Sequence, residues 1–424
     1  MGNVGGVGDP DSRVAVTDVS RATTLVLLAG TVLFVLVQVW AASVPLTYDE
    51  PWYLDSVPLV DEHGLITKEF LRSLPGPVGP LFTWVHWLLH PLTGGAVPWV
   101  RMVNPVLFVL ASVLTAAALK ASSRREHFVS AAALIAIPMT WPCTGMALTE
   151  IPSMFFYAAH LYAFFLSWRQ AETKSTGWLA AVASGVFLGL SVLGRQPVLL
   201  TLGAVGIVGV LVPRMRWPSG IVCGVTLLMC VPVFIVWGGL VPPQGMTDKV
   251  VKGFAPVHSL LAAAYCGLVM LILSPQRNWG DLRLLLGLMV GGVVVNLAFG
   301  FGAAVPMDTT VRSVVPASFM WVVERGFFGG LIGLAMVVVV VFLTEMFQRR
   351  RDVVFVFAAL ALLSQIAAAA AVKHQFSSRY LYPVAPLFLV LADSYPCTRW
   401  TPVRYGLGIL LGAVSLVSYY LVAK

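Results

Sequence analysis

The sequence predicts an all-α polytopic membrane protein, on three observations. Hydrophobic residues make up 58% of the 424, charged residues only 11%, and the mean hydropathy is +0.87. A soluble domain carries far more charge and far less apolar side chain. Apolar runs of about 20 residues, enough to cross about 30 Å of hydrocarbon as a helix, recur from end to end, as in Thr24 to Ala42, Leu284 to Phe301 and Arg325 to Val341. Between them, the basic residues sit in short clusters rather than in one patch.

Taken in order, residues 1–21 are polar, without an apolar helical face, and predict a disordered cytoplasmic tail. Residues 22–424 form one transmembrane domain. Its first span, 22–46, is too long for a signal-peptide core and has no clear cleavage site after it. Further spans are expected near 97–119, 127–143, 151–167, 177–194, 197–212, 218–238, 255–273, 284–303, 323–346, 353–372, 381–395 and 405–422, which gives about 11–13 transmembrane helices. Pro80 to Leu92 is apolar but short for a span, and predicts a helix lying at the interface. With surface helices over 51–77, it belongs to a large first loop, 47–96.

Basic residues fix the orientation. With a cytoplasmic N-terminus, alternate loops carry Lys120, Arg124 and Arg125; Arg169 and Lys174; Arg214 and Arg216; Arg277 and Arg283; Arg349 to Arg351; and Arg399 with Arg404. That is the positive-inside pattern. The opposite, non-cytoplasmic face then receives the acidic first loop, Gln244 to Lys252, Asp308 to Arg312 and Lys373 to Arg379. The formal charge of +8 is thereby explained by topology, and no nucleic-acid partner is expected. Cys143, Cys223, Cys230, Cys266 and Cys397 are scattered and nothing has metal-ligand spacing, so no metal and no cofactor are expected.

Four polar motifs fall on that one face. Asp49 and Glu50 follow the first span. They suit helix flanking, or a general base held where a lipid-borne substrate arrives, with a nearby carboxylate or low dielectric raising its pKa. Glu150 opens the fourth span, as a helix-capping carboxylate or as a functional acid at the edge of an apolar run. Arg195 and Gln196, followed by Pro197, join two spans. They suit headgroup snorkelling, or a guanidinium aimed at phosphate. Lys373, His374, Arg379 and Tyr380 precede the twelfth span, as interfacial anchors or as further phosphate ligands. Carboxylates and cations at one level of a helix bundle describe a site for a phosphate leaving group opposite a base. Trp84, His86, Trp87 and His90 are read as interfacial aromatics rather than a sugar platform.

The order of these features resembles the GT-C superfamily of membrane glycosyltransferases, which use lipid-phosphate-linked sugars. The resemblance rests on Tyr48-Asp49-Glu50 after the first span, the surface-helix loop, and its Pro75-Gly76-Pro77-Val78-Gly79-Pro80-Leu81 ending. Within it, Asp49-Glu50, Glu150 and Gly194-Arg195-Gln196 are similar to landmarks of the α-1,2-glucosyltransferases that add the terminal glucose of the lipid-linked N-glycan precursor. That family continues Arg-Gln-Thr-Asn where this chain has Arg195-Gln196-Pro197-Val198. Ser378-Arg379-Tyr380 is similar to the family's Arg-His-Tyr stretch, and Arg379-Tyr380 with Pro383 to the Arg-Tyr-x-x-Pro pattern of bacterial lipid-linked sugar transferases.

The resemblance implies a GT-C-like bundle and inverting transfer of a hexose, with glucose expected, from a polyprenyl- or dolichyl-phosphate sugar to a glycan or lipid-linked acceptor. It implies Asp49 as base, with Glu50 and Glu150 orienting acceptor or base. Arg195, Gln196, Lys373, His374, Arg379 and Tyr380 would hold the donor phosphate. Donor, acceptor and membrane lipids are the expected partners, in a bacterial inner membrane or the endoplasmic reticulum. The alternative is a secondary transporter or flippase, which predicts charges at the bilayer midplane and broken helices in matching halves.

Overall fold

The computed structural model describes residues 10–77, 79–122, 130–173, 177–244, 253–273, 282–300, 315–371, 377–395 and 397–422. Among them every regular element is helical. Among the described residues, seven helices are long and apolar enough to cross a membrane: Val19–Ala42, Trp99–Ala121, Pro213–Trp237, Pro256–Leu273, Ala317–Gln348, Val353–Ala371 and Thr401–Leu421. Four shorter apolar helices join them. The all-α polytopic class is therefore as expected. Asp308 to Arg312 and most of Gln244 to Lys252 lie outside the described residues.

Three segments differ from expectation. Helix α1 is Pro10–Ala42, so the described part of the supposed tail continues the first span as helix. Pro10 suits a first helical position, and no proline or glycine interrupts the chain before Gly30. The span expected over 127–143 is instead a 3-10 turn, Ala131–Ala136, broken before a short helix at Thr140–Gly145. Pro138 and Pro142 withhold two amide donors from any continuous helix there. The span expected over 381–395 starts as the 3-10 helix Ser378–Val384 and becomes α-helical only over Ala385–Ala392. Pro383 and Pro386 account for that start, and the run is interior from Leu381 to Ala392.

The first loop folds as expected into short helices, α2 (Glu50–Leu54), α3 (Leu59–His63), α4 (Lys68–Ser73) and α5 (Leu81–Thr93). Thirteen residues make α5 about 20 Å long, short of the hydrocarbon thickness. It packs its Phe82 and His86 side inward, against α6 (Trp99–Ala121), α8 (Glu150–Glu172) and α9 (Trp178–Gly194). Trp84 and Trp87 act as fasteners: their indole N–H groups donate to the Leu65 carbonyl and to Asp61 Oδ1, at 2.8 and 2.7 Å. His86 is buried on Phe82, and burial pushes its pKa down to about 3, so the ring is neutral at physiological pH.

Helix α8 is the central member, buried on nearly every side, and α7 (Thr140–Gly145) leads into it. A helix buried in apolar surroundings must satisfy its polar side chains on its neighbours. Ser153 and Ser191 donate to each other's carbonyls at 2.9 Å, Ser184 bonds His160 Nδ1 at 2.9 Å, and Ser167 donates to the Gly177 carbonyl at 3.1 Å. These three rungs fix α8 to α9 in register. The register places Glu150, at the start of α8, level with Arg195, just past the end of α9.

The first loop is held to that level by a close approach. A methyl group added at Gly79 would overlap the Leu193 carbonyl, which is backbone and has nowhere to move. Gly79→Ala is therefore expected to cost about 1–3 kcal/mol by overpacking and to loosen the loop. Faster limited proteolysis within 51–77 than in wild type would record it; an unchanged cleavage pattern would mean that the loop is not held there.

Candidate active site

The sequence places Asp49, Glu150, Arg195 and Arg379 up to 330 residues apart, and the fold brings all four into one ion-pair chain. Asp49 stands at the N-cap position of α2, where its side chain makes no capping bond, and its Oδ2 accepts from Arg379 Nη2 at 2.7 Å. Arg379 Nε lies 3.6 Å from Glu150 Oε1. Glu150 in turn pairs with Arg195. The order is carboxylate, guanidinium, carboxylate, guanidinium, with no net charge.

Local structure explains each placement. Tyr48, at φ +53°, is a non-glycine residue in the left-handed region. It ends the run from α1 and turns Asp49 back over the bundle. The Arg195 amide closes α9 on the Ser191 carbonyl at 2.9 Å, and Gln365 Nε2 holds the Pro197 carbonyl at 3.1 Å, so the turn carrying Arg195 is tied on both sides. Ser377 Oγ accepts from the Arg379 amide at 3.4 Å and starts the 3-10 helix that delivers Arg379. Tyr380 follows, half-buried.

Accessibility differs along the chain. The Glu150 side chain is fully buried, whereas that of Asp49 is 28% exposed and Arg379 22%. Asp49 is thus the more accessible of the two carboxylates. Arg195 Nε, Arg379 Nε and Gln196 Nε2 are buried donors that find no hydrogen-bond acceptor among the described residues. Burial pulls the Arg195 guanidinium below its ordinary pKa, but arginine keeps its charge. Three unspent donors on two guanidinia and an amide describe a receptor for an oxyanion.

Glu50 does not join this group. It is fully buried and faces the other way, onto Arg101 of α6. Arg101 Nε donates to Glu50 Oε1 at 2.7 Å and Nη2 to Oε2 at 2.5 Å. The Thr47 and Ala147 amides take the remaining acceptor positions, at 2.8 and 2.7 Å. A carboxylate with four donors has none of its acceptor capacity left for a substrate.

Arg101 is the residue that the sequence analysis missed. It donates also to the Ala41, Val44 and Pro45 carbonyls and stacks on Tyr420. Three residues on, Asn104 Nδ2 reaches the carbonyls of Cys143, Met146 and Leu148, at 3.3, 2.6 and 3.1 Å. The signal was present, since a buried arginine two residues into an apolar span is by default functional. Lys373 and His374 lie outside the described residues. No group of metal-ligating side chains occurs among the described residues.

Comparison with known proteins adds a family. The dolichyl-phosphate-mannose-protein mannosyltransferase family model matches residues 25–236, half of the chain. No curated protein matches. Among solved structures, the chain is similar to ArnT from Cupriavidus metallidurans in the apo state. The identity is 15% and the TM-score 0.43, over 93% of this chain and 77% of that one. It is similar also to the same protein bound to undecaprenyl phosphate, at 14% and 0.41 over the same shares. The Archaeoglobus fulgidus oligosaccharyltransferase tethered with an acceptor peptide matches at 14% and 0.45, over 94% of this chain and 54% of that one. From the extent of the family match, this chain belongs to the dolichyl-phosphate-mannose-protein mannosyltransferase family.

Proposed function

We propose that the chain transfers a hexose from a polyprenyl- or dolichyl-phosphate sugar to an acceptor hydroxyl, with inversion, at the non-cytoplasmic face. The observation that carries this reading is the set of unspent donors on Arg195, Gln196 and Arg379 beside an accessible Asp49. Family membership supports the same reaction class. Arg195, Gln196 and Arg379 hold the donor phosphate, with Tyr380 beside them. Lys373 and His374 complete the cationic set in sequence.

The ion-pair chain supplies a mechanism in which the charges balance. Asp49 takes the proton of the acceptor hydroxyl as its oxygen attacks the anomeric carbon. The bond from that carbon to the phosphate oxygen breaks, and its electron pair stays with the phosphate, which gains one negative charge. Protonated Asp49 no longer neutralises Arg379, so that guanidinium is released to the leaving phosphate as the new charge appears there. Buried Glu150 keeps both arginines in place and adds negative field for an oxocarbenium-like sugar.

The test is transfer of radiolabelled sugar by the purified protein in nanodiscs, with polyprenyl-phosphate glucose and mannose offered separately, each with peptide and lipid-linked acceptors. Glucose is the sugar expected from the sequence landmarks, and mannose is the one in the family's name. Turnover of either supports the reading. Arg379→Ala is expected to lower kcat about 100- to 1,000-fold, as removal of an oxyanion-stabilising donor does. Sodium- or proton-coupled movement of solute by liposomes, with no donor consumed, would replace the enzyme by the transporter.

A further inference from the structure

The end of the bundle away from the site carries a second feature. Helices α10 (Thr201–Leu211) and α11 (Arg216–Trp237) form a tight antiparallel pair, joined by the 3-10 turn Pro213–Met215. Between them lies a groove of about 470 Å³, lined by Gly206, Gly209, Val210, Arg216, Ser219, Gly220 and Cys223. A methyl group added at Gly206 or Gly220 would meet no atom within 4 Å, so the groove is open on either side of the close approach of Gly209 to Ser219.

Two observations say what fills it. Ser219 is 2% exposed and lines the groove, yet its hydroxyl has no hydrogen-bond partner among the described residues. Arg216 is exposed at the mouth and its side chain makes no ion pair among the described residues, whereas neighbouring Arg214 is paired with Glu172 at 2.8 Å. Trp217, 84% exposed, marks the headgroup level beside Arg216. From Arg216 to Cys223 the groove runs about 10 Å inward, the depth of the upper part of an acyl chain.

We infer that the groove binds one anionic phospholipid, with its phosphate on Arg216, its glycerol ester level with the Ser219 hydroxyl and one acyl chain along the glycines. The sugar donor, though also a lipid phosphate, is not the occupant. Gln196–Leu200 and α10 together separate Arg216 from Arg195 by about 25 Å of helix. The groove therefore opens at the opposite end from the oxyanion donors. A free phosphate would leave the apolar groove uncovered, so the intact lipid is the ligand.

Native mass spectrometry of the full chain, titrated in micelles with phosphatidylglycerol or phosphatidylcholine, tests this. One saturable phosphatidylglycerol adduct is expected. Arg216→Gln weakens it about fivefold, the worth of one basic side chain at an anionic surface. Gly206→Leu fills the groove and removes it, while Gly287→Leu, at an equally open position on another helix, retains it. Phosphatidylglycerol should also slow maleimide labelling of Cys223. Equal binding of both lipids, or an adduct that survives Gly206→Leu, overturns the proposal. So does a dimer that Gly206→Leu dissociates with lipid binding unchanged, because a second copy would then be the occupant.

Discussion

Asp49→Asn is expected to lower kcat by about 100- to 10,000-fold, the range for removal of a positioned general base, with donor affinity and thermal stability nearly unchanged. The substitution keeps shape and the oxygen that faces Arg379, so the 28% exposed side chain loses charge without leaving a cavity. What disappears is the proton acceptor and, with it, the release of Arg379 at the moment of phosphate departure. A filter assay with labelled polyprenyl-phosphate sugar reads the unchanged donor affinity directly. Equal turnover in wild type and variant would remove Asp49 from catalysis and pass the role of base to Glu150, whose full burial makes it the less reachable carboxylate.

Much of this arrangement was legible in the sequence, and the reason is topological. The charge rule sorts loops by side, and contacts between distant elements respect that sorting. Asp49 meets Arg379 and Glu150 meets Arg195 at one end, and Arg214 meets Glu172 at the other. What a side rule does not contain is direction. It placed Asp49 and Glu50 together as a catalytic pair, but adjacent residues at a helix start point different ways, and only one of them faces the ion-pair chain. Nor does it contain contacts made inside the bilayer. Arg101 and Asn104 were read as part of an apolar span, although they bond backbone carbonyls left open where helices end, at Ala41, Val44 and Pro45 around the end of α1 and at Cys143, Met146 and Leu148 around the end of α7. The broken segment at 131–145 was lost for the same reason, because hydropathy counts apolar side chains and is blind to missing amide donors.

The neighbouring carboxylate should therefore give the opposite phenotype. Glu50→Gln leaves Arg101 buried with its carboxylate partner gone, and breaking one partner of a buried pair typically costs about 3–5 kcal/mol. The loss would spread along two paths. Through Thr47 the carboxylate fixes the turn that carries Tyr48 and Asp49, and through the Ala147 amide it fixes the segment leading to Glu150. Replacing both Glu50 and Arg101 by apolar residues is not expected to restore stability, because the Ala41, Val44 and Pro45 carbonyls and the Thr47 and Ala147 amides would lose their partners together. Since membrane proteins of this size unfold irreversibly, the comparison belongs to inactivation rates at fixed temperature in one detergent. Glu50→Gln should inactivate far faster than Asp49→Asn, while keeping partial turnover in freshly purified protein. A Glu50→Gln protein as durable as wild type but inactive would make Glu50 a member of the reacting group, and the Arg101 clamp incidental to it.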